Sequence, residues 1–107
     1  MNITTKENAI ELFKQAIVMA NEREENEIDL LYYNYPAIRQ ALKHLIYKCE
    51  KLSFYDFKKY LIGFSVNDYL KKPFYSKERK THFFYTFTKL NEDCQHLLFN
   101  SLKQQIV

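Results

Sequence analysis

The chain has 107 residues, with one glycine, two prolines, two cysteines, nine Phe and nine Tyr; it is 47% hydrophobic and 27% charged, with a net charge of +3. A single glycine excludes a Walker loop, a dinucleotide fingerprint and a nucleophile elbow, each of which needs at least two. So few turn formers also exclude an all-β sandwich, which must turn about every 8–12 residues.

One small all-α domain spanning residues 1–107 follows, a bundle of five to six helices around one aromatic-rich core. No apolar run is long enough for a membrane span, and the polar start Met1–Glu7 carries no signal-peptide core. A cytoplasmic chain with Cys49 and Cys94 as free thiols is therefore expected. Charge is unevenly distributed. Residues 1–30 hold three basic against seven acidic side chains, and residues 58–80 hold seven basic against two acidic. A basic segment of this kind attracts polyanions such as nucleic acid.

In chain order, Thr4 with Glu7 predicts a capping box for a helix over 5–21, with Ile10, Phe13, Ala16, Ile17 and Ala20 on its inner face. The acidic run 22–27 has no apolar face and reads as a linker or an exposed helix end. Residues 28–35 are ambiguous between a helical turn and an extended piece. Pro36 suits a first helical turn and opens a helix to Glu50, with Ile38, Ala41, Leu42, Leu45, Ile46 and Cys49 inward. Ser53 with Asp56, and Leu52 with Phe57, predict the capped start of a third helix, which Gly63 ends as a left-handed cap. Ser65 with Asp68 repeats the device for a short helix over 66–72, stopped by Pro73. Residues 81–88 have strand propensity, but a lone strand would lack a partner, so a helix over 77–89 capped by Ser76 is preferred. Asn91 caps a last helix whose stripe is Cys94, Leu97, Leu98, Leu102 and Ile106; this helix either closes the core or mediates a homodimer.

No Cys-x-x-Cys or His-Glu-x-x-His spacing links His44, His82, His96, Cys49 and Cys94, so no metal or other cofactor is expected. The carboxylates fall in first helical turns or in the 22–27 run, where capping and solubility account for them, and no nucleophile–base arrangement stands out. The expectation is a protein that is not an enzyme.

The strongest local pattern is Gly63-Phe64-Ser65-Val66-Asn67-Asp68-Tyr69, followed by Tyr75-Ser76-Lys77-Glu78-Arg79. It resembles the helix-turn-helix of sigma-factor region 4 and of phage-type transcriptional regulators, in which a second capping serine lies eleven residues after the first, as Ser76 does after Ser65. Pro73, Phe74 and Lys80 depart from that pattern. The resemblance implies a small DNA-binding regulator whose helix from Lys77 enters the major groove. Lys77, Glu78, Thr81 and His82 would face base edges, and Lys71, Lys72, Arg79 and Lys80 would lie on phosphates. The alternative is a non-enzymatic protein-interaction module of the phage accessory type, which inhibits or adapts a larger machine such as a nuclease or polymerase and uses exposed tyrosines as anchors.

Overall fold

A computed structural model describes residues 2–76, 80–83, 85 and 87–107. Among the described residues, five helices form the framework: α1 (Lys6–Glu25), α2 (Tyr35–Lys51), α3 (Phe54–Gly63), α4 (Val66–Leu70) and α5 (Lys89–Ile106). A hairpin of β1 (Phe74–Ser76) and β2 (Thr81–Phe83) lies between α4 and α5. Among the described residues, no helix is long and apolar enough to cross a membrane.

Short polar side chains start every helix by accepting a backbone N–H of the first turn. Ser53 and Ser65 do so for α3 and α4 as the sequence predicts. Asn34 caps α2, with Pro36 in the first turn. Two caps differ from expectation. Thr5, rather than Thr4, accepts from Asn8 at the start of α1. Thr88, rather than Asn91, caps α5 and accepts from the Asn91 backbone at 3.2 Å. Asn91 is instead buried and donates from Nδ2 to the Tyr32 carbonyl at 2.8 Å. The acidic run turns out to be mostly helix, because α1 continues to Glu25.

Gly63 is not the left-handed cap that was expected. It is the last helical residue of α3, its φ is not positive, and extended Phe64 ends the helix. The helix expected over 77–89 is also corrected. Phe74, Tyr75 and Ser76 pair antiparallel with Phe83, His82 and Thr81, and Lys80 turns with φ 53°. The partner strand for 81–83 lies directly after Pro73, whose ring disfavours a central helical position and suits an extended edge.

The core joins α1 and α2 to the smaller α3 and α4. Phe13 meets Phe57 edge to face at 6.1 Å, and Ile38, Leu42, Leu45, Leu61, Val66 and Leu70 fill the space around them. α5 closes this core with Phe99, Leu102 and Ile106, and Phe99 packs 6.1 Å from Phe64. Its stripe differs from the predicted one. Asn91, Gln95 and Phe99 point inward, while Leu97 is 71% exposed. The Ile3 N–H donates to the Gln105 carbonyl at 2.6 Å and ties the chain start to the end of α5. Cys49 is buried, and both cysteines are free thiols, as expected.

Candidate nucleic-acid interface

The residues singled out from the sequence fall in three places. Lys71 and Lys72 are exposed just beyond α4, and the Lys71 Nζ lies 3.5 Å from the Asp68 carboxylate. Thr81 and His82 lie on β2, and Lys80 is exposed at the turn that leads into it. Lys77, Glu78 and Arg79 lie outside the described residues. The two strands make a ribbon where a groove-reading helix was expected.

Beside Lys72, α3 and α4 enclose a cleft of about 430 Å³. Lys59 and Lys72 stand on its rim with Asp68, and Tyr60, Phe64 and Tyr69 line it. Helix packing brings these rings together on a residue of α2, His44. The imidazole stacks on Tyr69 at 4.3 Å between ring centres, and its Nε2 lies 2.5 Å from the Tyr60 hydroxyl. Phe64 stacks on His44 at 6.2 Å and meets Tyr69 in a tilted contact at 5.9 Å. The Lys103 ammonium donates to the Phe64 carbonyl and so anchors α5 to the same corner.

The electrostatics follow from this packing. Burial, then the nearby Lys48 and Lys72 ammonium groups, hold the His44 pKa below the usual histidine value. Burial pushes the Tyr60 and Tyr69 hydroxyls up, so both stay neutral hydrogen-bonding groups at ordinary pH. Burial also lowers the Lys103 pKa. Residues 43–72 carry seven lysines against Glu50, Asp56 and Asp68. Four of these lysines lie over aromatic faces: Lys48 over Tyr60 at 5.4 Å, Lys51 over Tyr47 at 5.7 Å, Lys58 over Phe54 at 5.6 Å and Lys59 over Tyr55 at 4.4 Å. Such contacts orient the ammonium groups while leaving their donors open to an anion, and contribute about 0.5–1 kcal/mol each at exposed sites.

The sequence favours a structural role for His44 over a metal-binding one, but its local pattern does not reveal the aromatic floor that His44 joins. Among the described residues, no group of three His, Cys, Asp or Glu side chains is placed to hold a metal ion. His44 and His96 hydrogen-bond to Tyr60 and Asn67 respectively. Comparison of the chain with protein families, with curated proteins and with solved structures gave no match.

Proposed function

We propose that this protein is a small DNA-binding regulatory protein that holds the phosphate backbone with the lysines of α2, α3 and the turn after α4. The single observation carrying this reading is the cleft between α3 and α4, with Lys59 and Lys72 on its rim and Lys48 over the Tyr60 ring. Lysine ammonium groups on an ordered surface neutralise phosphates and release counterions, which is the main source of sequence-independent affinity. The geometry alters how bases would be read. A major groove admits a two-stranded ribbon as well as a helix. β1 and β2 would take the place of the recognition helix as the base-reading element, with Lys71, Lys72 and Lys80 as phosphate contacts.

Binding of a labelled duplex, followed by anisotropy, tests this directly. With about four phosphate contacts, affinity should fall on the order of a hundredfold between ~50 and ~200 mM salt. Replacing Lys48, Lys59 and Lys72 together by alanine should reduce the salt slope by about 3 while helical content stays unchanged. No binding at the lower salt, or a slope that ignores the substitutions, would overturn the reading.

A further inference from the structure

We infer that the segment 28–32, between α1 and α2, is a docking surface for a protein partner that presents apolar side chains surrounded by lysine or arginine. This surface is separate from the lysine cleft, and the inference does not rest on DNA binding.

The backbone of this loop is strongly determined from below. Glu27 and Asp29 are both left-handed, with φ 56° and 53°. Non-glycine residues hold that conformation only where surrounding contacts impose it. Those contacts are explicit. The Tyr35 hydroxyl donates to the Ile28 carbonyl at 2.6 Å and accepts from Arg23 Nε at 3.2 Å. The same Arg23 pairs with Asp29 at 2.6 Å. The Ile28 N–H donates to the Arg23 carbonyl at 2.8 Å, and the N–H groups of Tyr32 and Tyr33 both donate to the Asp29 carbonyl. From α5, Asn91 donates to the Tyr32 carbonyl at 2.8 Å, and Gln95 accepts from the Asn34 N–H at 3.3 Å.

The upper side of the loop is apolar and faces water. Leu31 is 81% exposed, and Ile28, Leu30 and Tyr32 are each more than two-fifths exposed. Leu30 and Leu31 border a groove of about 380 Å³ whose other walls include Pro36, Thr88 and Asn91. A backbone already fixed in shape has little ordering cost left to bear when a partner arrives. Clustered exposed apolar side chains on a rigid support mark interaction sites.

Charge selects the kind of partner. Glu22, Glu25 and Glu27 are exposed around the loop and form no ion pair among the described residues, while Glu24 borders the groove itself. An acidic rim repels nucleic acid, an anionic membrane and the same loop of a second copy. It complements a partner whose apolar anchors sit among cations, and it would speed their encounter.

Isotope-labelled full-length protein, titrated with three synthetic helical peptides, tests the inference. One places leucines three and four residues apart along one helix face with lysine at the remaining positions, one carries glutamate in place of lysine, and one carries serine in place of leucine. The Leu/Lys peptide should shift the amides of 28–33 saturably, and the other two should bind at least about tenfold more weakly. Leu31→Ser, at a side chain that supports no core, should weaken the Leu/Lys peptide by about tenfold with an unchanged melting temperature. Equal binding of the Lys/Ser peptide would reduce the effect to charge alone and overturn the inference. So would shifts confined to other residues, unchanged binding by Leu31→Ser, or concentration-dependent self-association that Leu31→Ser abolishes, which would make a second copy the occupant.

Discussion

Tyr35, His44 and Asn91 show how single side chains carry structure that local pattern does not reveal. Tyr35 is buried while its hydroxyl holds a carbonyl of the loop before it, so one phenol both fills the core and shapes the surface above it. Asn91 is a plausible helix cap by residue type, yet its amide serves a carbonyl far away in sequence and Thr88 does the capping. His44 leads to a pH prediction. Burial, Lys48 and Lys72 all disfavour its protonated form in the folded state, so its folded pKa lies below the unfolded value of about 6.5. Between those two values the unfolded chain binds the extra proton, so stability rises with pH there. The part of the stability due to neutral His44 is therefore complete above about pH 6.5 and falls away as the medium is acidified below it. Urea unfolding at a series of pH values should show a smaller acid loss in His44→Gln than in the unmodified protein. Identical pH slopes would mean that the imidazole titrates the same way folded and unfolded.

At the scale of the element, what was legible was what is local. Ser53 and Ser65 start α3 and α4 where capping chemistry puts them, because a side-chain oxygen three residues before an N–H needs no tertiary partner. Pro36 likewise marks the start of α2. The hairpin was not legible. Its strands are three residues each, and the pairing of Phe74 with Phe83 depends on the chain reversing through Lys80 in a left-handed conformation. Gly63 shows the converse error. It sits before a capping serine, as a left-handed helix end would, but it keeps helical geometry, and a Cβ added there would meet nothing within 4 Å. Gly63→Ala should therefore stabilise the protein by about 0.5–1 kcal/mol, by restricting the unfolded chain and favouring the helix. Thermal or denaturant unfolding would measure this, and a loss of stability would place Gly63 outside the helical region.

At the scale of the whole molecule, the sequence carries an acidic first third and a basic middle, and the fold turns both into surfaces. The lysine excess could be counted along the chain. The floor beneath it could not, because His44, Tyr60 and Tyr69 come from three helices that meet only on folding. The C-terminal half of the α5 stripe was legible, and its first turns were not. Leu102 and Ile106 are buried as expected, Phe99 replaces Leu97, and the polar Asn91 and Gln95 are drawn inward by backbone groups of the segment 32–34. The lysine cleft and the acidic apolar loop should therefore respond to different ligands.

Mapping a short mixed-sequence duplex onto the labelled protein by amide chemical shifts at ~50 mM salt tests whether the lysine surface of α2, α3 and the turn after α4 holds nucleic-acid phosphates. Phosphate binding there predicts saturable shifts at residues 48, 58–72 and 80–83, reversed on raising the salt to ~200 mM, with residues 22–32 unaffected. Shifts centred on residues 22–32, or no saturable shift at the lower salt, would contradict it.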